Sequence, residues 1–97
     1  MTLTKEIILE KLALHKQQLM QKYPIKSIGL FGSYARNEPT PESDIDLLVE
    51  FSAPVGMEIV DLAEDLESIL DHKVDIITYN AIKNRLYHYI KDELVYA

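Results

Sequence analysis

Several features that mark common protein classes are missing from this sequence. It contains no cysteine, which excludes disulfide bonds and thiolate chemistry. No apolar run approaches the roughly 20 residues that a membrane-spanning helix needs. The first residues also lack the basic start and the apolar stretch of a signal peptide. We therefore expect a cytoplasmic protein with no membrane contact.

Positive charge is scarce as well. Ten Lys and Arg stand against sixteen Asp and Glu, the formal net charge is −6, and only Arg36 and Arg85 are arginines. A chain that holds nucleic acid non-specifically shows the opposite balance, because phosphate neutralisation supplies its affinity. We therefore expect no stable nucleic-acid binding. Nucleotides remain acceptable as substrates, provided that metal ions screen the carboxylates around them.

The chain is also short. Its 97 residues, 47% of them hydrophobic, suit one domain with a modest core, and we expect a single domain over residues 1–97. A catalytic domain and a separate substrate domain do not both fit in this length. If the chain is an enzyme, another molecule must supply part of the substrate site.

Hydrophobic periodicity predicts helices that alternate with short strands. We expect helices over about 4–23, from after Gly56 to about 71, and from about 80 to the C-terminus, and strands over 25–31, 44–51 and 73–78. The candidate core positions of the last helix are Ile82, Leu86, Tyr89, Ile90 and Leu94. This order predicts an α/β (α+β) fold, with helices packed on a small mixed sheet of three strands or slightly more.

The first candidate motif follows the strand that ends at Phe31. Gly32 allows the backbone to turn sharply and to approach another group closely. Ser33 could then open a short helical turn through Arg36, and free amides at a helix start beside a hydroxyl form a corner for phosphate. Alternatively, Gly32-Ser33 is only a turn. The motif alone leaves both interpretations open.

The second candidate motif is Asp44-Ile45-Asp46, at the head of an apolar strand. Side chains at positions i and i+2 of a strand point to the same face, so the two carboxylates converge. They repel each other unless a cation binds between them, and hard cations such as Mg²⁺ prefer carboxylate oxygen. Alternatively, Asp44 ends the preceding turn and Asp46 is a solvated residue of an edge strand.

The third candidate is Asp75, a carboxylate in the otherwise apolar strand Val74 to Thr78. If Val74 and Ile76 face a helix layer, Asp75 lies on the opposite face with Ile77. If this strand also lies next to the strand over 44–51, Asp75 can join Asp44 and Asp46. Three carboxylates can hold two metal ions roughly 3.5–4 Å apart, the arrangement used for in-line phosphoryl displacement. Alternatively, Asp75 is a surface residue of the strand.

In combination, these motifs resemble the nucleotidyltransferase superfamily that includes DNA polymerase β. The pattern is Gly32-Ser33, ten further residues, Asp44-x-Asp46 and a separate Asp75 on a later strand. The resemblance covers nearly the whole chain and is closest to the minimal bacterial and archaeal branch, the MNT proteins. The segments that carry it are Gly32 to Arg36, Thr40 to Val49, Val74 to Ile77 and Ile90 to Glu93. Asn37 stands where the family more often has glycine, and asparagine tolerates left-handed backbone.

The resemblance implies a metal-dependent mechanism. Asp44 and Asp46 would bind two catalytic ions, expected to be Mg²⁺, with Mn²⁺ as a substitute. Asp75 would complete one of the metal sites and accept the proton of the attacking hydroxyl. The reaction would move a nucleoside monophosphate, expected to be AMP from ATP, onto an acceptor hydroxyl and release pyrophosphate.

The resemblance also implies where the nucleotide binds. Gly32 and Ser33 would hold the β- and γ-phosphates of the nucleoside triphosphate. Arg36 would add positive charge beside those phosphates; alternatively, it is a solvated arginine of the turn.

The same family implies a partner. MNT proteins pair with HEPN proteins in toxin–antitoxin modules, in which the HEPN protein is an RNase toxin and MNT is the antitoxin. The expected acceptor is a tyrosine of that toxin. Alternatively, the chain is a catalytically inactive module that neutralises its partner by binding alone.

Tyrosines near the C-terminus allow two interpretations. They form a surface for a partner or for self-association, or Tyr89 packs in the core and the others lie on an exposed helix. Homo-oligomerisation therefore stays open.

Overall fold

A computed structural model describes residues 3–82 and 84–97. In chain order the elements are α1 (Lys5–Lys22), β1 (Ile25–Phe31), α2 (Gly32–Ala35), β2 (Ile45–Phe51), α3 (Glu58–Leu70), β3 (Val74–Thr78), α4 (Asn84–Ile90) and β4 (Val95–Tyr96). The strands form one sheet in the order β3-β2-β1-β4. β1 runs antiparallel to β2 and β4, whereas β2 and β3 are parallel. The predicted mixed sheet with packed helices is confirmed.

The long first helix has clear start and stop signals. The Thr4 hydroxyl accepts a hydrogen bond from the Ile7 amide at 3.2 Å and caps the first turn. At the other end Tyr23 is extended, as expected for a residue before Pro24. The helix buries one stripe of apolar side chains, which consists of Ile8, Leu12 and Leu19.

The main core lies between one face of the sheet and the helices α1 and α3. β2 contributes Ile45, Leu47 and Val49, all fully buried on this face. α3 contributes Leu62, Leu66 and Leu70, spaced four residues apart. The alternation of β2 therefore sends its other set of side chains, including Asp46, to the opposite face.

That opposite face carries a smaller apolar cluster around Phe31, Leu48 and Ile90. α4 provides Ile90, and Ile77 of β3 and Leu94 pack against the cluster. Its limited size leaves the start of β2 on this face open for polar side chains. In the part of the chain that the structure describes, no helix is both long and apolar enough to cross a bilayer.

One prediction about the fold was wrong. Residues 80–97 do not form one helix, because α4 ends at Ile90 and the chain then turns and adds β4 to the edge of β1. Val95 pairs with Leu30 and Tyr96 with Gly29, so the backbone there bonds to the edge of the sheet instead of continuing the helix. Leu86 and Tyr89 were expected in the core, but their side chains are exposed, Tyr89 by 84%.

Candidate active site

Strand pairing brings the predicted carboxylates together. In the parallel pairing of β2 and β3, Asp46 lies directly opposite Asp75. Asp44 precedes Asp46 by two positions, just before β2 begins. Both conditions set for Asp75 are met, since Val74 packs in the main core and β3 neighbours β2.

Asp46 is the most perturbed of these carboxylates. Burial is the main reason that its pKa rises from 3.8 to about 6, and the charges of Asp75 and Asp44 raise that pKa further. Glu93 adds a smaller increase, whereas the Arg36 guanidinium lowers the pKa. Asp46 therefore holds its negative charge at a cost, and a bound cation would relieve that cost.

Gly32 brings the first motif against this carboxylate. Its backbone φ angle of +81° lies in a region that residues with a side chain rarely adopt. A Cβ atom built at this position would overlap Oδ2 of Asp46. The close approach follows from the sheet, because Phe31 at the end of β1 pairs with Asp46. The Gly-Ser and Asp-x-Asp motifs are thus neighbours in space, with Ser33 half-buried in the turn that follows.

Next to Gly32, a carboxylate with no predicted role occupies the donors of the first motif. Glu93 Oε2 accepts a hydrogen bond from the Gly32 amide at 3.0 Å and one from Arg36 Nη1 at 2.8 Å. Arg36 is half-exposed, and its Nε lies 3.7 Å from Glu38. The available signal was the segment Ile90 to Glu93, which entered only through the family resemblance and suggested no role for Glu93.

A tyrosine–histidine pair ties the first motif to β3. The Tyr34 hydroxyl lies 3.2 Å from His72 Nε2, and His72 Nδ1 lies 3.0 Å from the Lys73 carbonyl. A carbonyl oxygen only accepts, so Nδ1 carries the hydrogen and Nε2 accepts from the hydroxyl. The pair links α2 to the residues just before β3. Lys73 also reaches Asp44, with Nζ 4.0 Å from Oδ2.

The three carboxylates have the chemistry that a hard divalent cation prefers, although they do not already surround a single ion site. Asp44, Asp46 and Asp75 offer only carboxylate oxygen, which Mg²⁺ prefers. Across residues 3–82 and 84–97, no three His, Asp or Glu side chains stand together as a ready-made metal group. Besides burial, the charges of Asp75 and Asp44 nevertheless raise the pKa of Asp46, so both lie near enough to act on it. Ligation by all three would therefore require their exposed members to turn towards Asp46.

Comparison with known families agrees with this arrangement. The sequence profile described as a nucleotidyltransferase domain matches residues 12–97. The chain belongs to the nucleotidyltransferase family. The matched region includes both motifs of the site and Asp75. The enzyme class expected from the sequence is thereby confirmed.

Two related sequences extend this result. A Methanocaldococcus jannaschii protein named as a protein adenylyltransferase, MJ1379, is 50% identical over 94 residues, which span 93% of this chain and 94% of the relative. The protein adenylyltransferase MntA of Thermococcus cleftensis is 36% identical over 96 residues, 98% of this chain and 97% of the relative. Both matches therefore span nearly the whole of this nucleotidyltransferase and of the relative.

Two solved structures show the same fold. One, described as a minimal nucleotidyltransferase, is 30% identical with a TM-score of 0.73, and the match covers 90% of this chain and 93% of the other. The second is a toxin–antitoxin complex with AMP-PNP, 28% identical with a TM-score of 0.62 over 75% of this chain and 61% of the other. The predicted fold family is confirmed, whereas the roles of single residues stay predictions.

Proposed function

We propose that this nucleotidyltransferase moves AMP from ATP onto a hydroxyl of a partner protein, in a reaction that depends on Mg²⁺. The observation that carries this proposal is the contact between the two motifs. Gly32 presses against Asp46, and Asp46 lies beside Asp75. The turn that we assign to the phosphates thus adjoins the carboxylates that we assign to the metal ions. The relatives named as adenylyltransferases support AMP as the transferred group.

Each residue of the site has a role in this proposal. Asp44, Asp46 and Asp75 hold divalent ions, which when bound neutralise the carboxylates and the charge that develops on the phosphates. The Gly32 amide, Ser33 and Arg36 hold the β- and γ-phosphates.

The transfer is a displacement at the α-phosphorus of ATP. The acceptor oxygen forms a bond to that phosphorus. The bond between the phosphorus and the oxygen that bridges the α- and β-phosphates breaks. Pyrophosphate leaves, and the hydroxyl proton passes to the exposed Asp75. Positioning and electrostatics supply most of the acceleration.

The acceptor in this proposal is a tyrosine of a HEPN RNase toxin, for which the chain is the antitoxin. The toxin–antitoxin complex with AMP-PNP supports a toxin partner and an adenine nucleotide. The net charge of −6 also favours a basic protein surface over free nucleic acid.

A second candidate is an inactive module that neutralises its partner by binding alone. The observation in its favour is that the carboxylates of the described residues do not form a ready-made metal group. Against it stands the retention of Gly32, Ser33 and all three aspartates, because a decayed site usually loses a ligand.

Transfer of label from ATP separates the two candidates. The chain is incubated with Mg²⁺, ATP labelled on the α-phosphate, and the HEPN toxin proposed as its partner. We expect label on the toxin with wild type and none with Asp46→Asn. Asp61→Asn, an exposed change on α3 far from the motifs in sequence, serves as the matched control and retains transfer. Full neutralisation by Asp46→Asn, together with no transfer by wild type, would establish the binding module instead.

A further inference from the structure

Glu93 occupies two of the hydrogen-bond donors that the proposed function assigns to the phosphates. A single oxygen, Oε2, accepts from the Gly32 amide at 3.0 Å and from Arg36 Nη1 at 2.8 Å. The Glu93 side chain is only 16% exposed, so these two bonds satisfy a largely buried charge. The arrangement resembles that of a phosphate oxygen held by an amide and a guanidinium.

The Gly32 amide has one hydrogen, and a second strong acceptor cannot share it at this geometry. A phosphate oxygen can bind there only after Glu93 has left. We propose that Glu93 is a positioning residue that holds the phosphate donors until the outer phosphates of the nucleotide displace it, and so sets the affinity for the triphosphate. This inference rests on the proposed function, because it takes the Gly32 amide and Arg36 as phosphate ligands.

The C-terminal segment places Glu93 firmly. The Glu93 amide donates a hydrogen bond to the Ile90 carbonyl at 3.0 Å, and Ile90 is buried in the cluster with Phe31 and Leu48. On the other side, Leu94 packs over Gly29 of β1. With the backbone anchored on both sides, only the Glu93 side chain needs to rotate to release the donors.

The test measures the binding of AMP-PNP with Mg²⁺ by calorimetry, with AMP as the comparison ligand. Glu93→Gln removes the charge, so the side chain competes less well with phosphate for the Gly32 amide and Arg36. In a larger fraction of the protein these donors are then free, and we expect the Kd for AMP-PNP to fall about threefold to tenfold. The Kd for AMP should not change, since AMP lacks the outer phosphates. Asp92→Asn removes the same charge from the exposed neighbouring residue and should leave the Kd for AMP-PNP within about twofold.

Several results would overturn the inference. An unchanged Kd in Glu93→Gln with a lower Tm would mean that Glu93 only anchors the C-terminal segment. A higher Kd would mean that Glu93 helps the nucleotide by orienting Arg36. Equal tightening of AMP would place the effect away from the outer phosphates. If wild type binds AMP-PNP in each of these cases, the proposed function stands, whereas absence of binding in wild type and variant would overturn both.

A second variant guards against misfolding. Glu93→Asp keeps the charge but shortens the side chain by one methylene, so the carboxylate no longer reaches both donors. We expect it to tighten AMP-PNP less than Glu93→Gln does, and to lower the Tm, because a largely buried carboxylate loses hydrogen bonds. Weaker binding by this folded variant would contradict the inference even if Glu93→Gln did not fold.

Discussion

Asp46 and Asp75 lie side by side as register partners on the parallel strands β2 and β3. Two carboxylates in this position repel each other, and burial of Asp46 adds to the cost of its charge. The fold accepts this cost at the start of β2. A protein that only needed to be stable would gain from losing one of these charges, which leads to the first prediction.

Asp46→Asn should stabilise the metal-free protein at neutral pH while it abolishes transfer. The folded state binds the Asp46 proton more tightly than the unfolded state, because the pKa rises from 3.8 to about 6 on folding. Stability contributed by Asp46 is therefore lost as the pH rises through this window, and is restored below it. Allowing for the partial exposure of Asp46, we expect a gain of about 1 to 2 kcal/mol at pH 7.

Urea unfolding in metal-free buffer at a series of pH values checks this expectation. The advantage of Asp46→Asn should shrink as the pH falls from about 6 and should vanish only below 3.8, where Asp46 is protonated in both states. Added Mg²⁺ should raise the Tm of wild type more than that of the variant, because the ion binds the charged form. An advantage that stayed constant at every pH would contradict the assignment.

The charge of Asp75 should be visible in the titration of Asp46. Because Asp75 raises the pKa of Asp46 more than any other single charge does, Asp75→Asn should lower the Asp46 pKa from about 6. Glu93→Gln should lower that pKa less, because Glu93 contributes least among the carboxylates that raise it. NMR titration of the Asp46 carboxyl carbon in metal-free buffer measures both values. Equal effects of the two variants would show that the carboxylates are arranged differently around Asp46.

The sequence predicted the strands of the site well, for a physical reason. Alternation of apolar residues in β2 has a strong period of two, so the face that carries Asp46 was predictable. The pairing of Asp46 with Asp75 was only conditional, because the order of strands depends on packing between distant segments. Glu93 could not be assigned a role, since its contacts exist only after the C-terminal segment folds back along β1. A strand of two residues, such as β4, has no readable period.

The pair formed by Tyr34 and His72 yields a prediction about stability. Tyr34→Phe removes a hydroxyl that donates to His72 Nε2 from a largely buried ring. We expect a loss of about 0.5 to 1.5 kcal/mol in the free energy of unfolding, because one hydrogen bond between α2 and the start of β3 disappears. Tyr89→Phe is the matched control, since that side chain is 84% exposed. Urea unfolding of both variants should show a loss for the first and almost none for the second.

Gly32 allows the sharpest comparison that the chain offers. Gly32→Ala meets two separate penalties: a φ of +81° that disfavours any side chain, and overlap between the new Cβ atom and Oδ2 of Asp46. The strained backbone alone costs about 1 to 3 kcal/mol. The overlap must also push Asp46 away from the turn, so the affinity for AMP-PNP should fall together with stability.

Gly56→Ala is the control for this change, because nothing lies within 4 Å of a Cβ atom built at Gly56. It should leave nucleotide binding unchanged and alter stability by less than about 1 kcal/mol. Urea unfolding and calorimetry with AMP-PNP measure the two effects on the same samples. If Gly32→Ala kept the affinity of wild type, the backbone at Gly32 would not need its close approach to Asp46, and the phosphates would have to bind elsewhere.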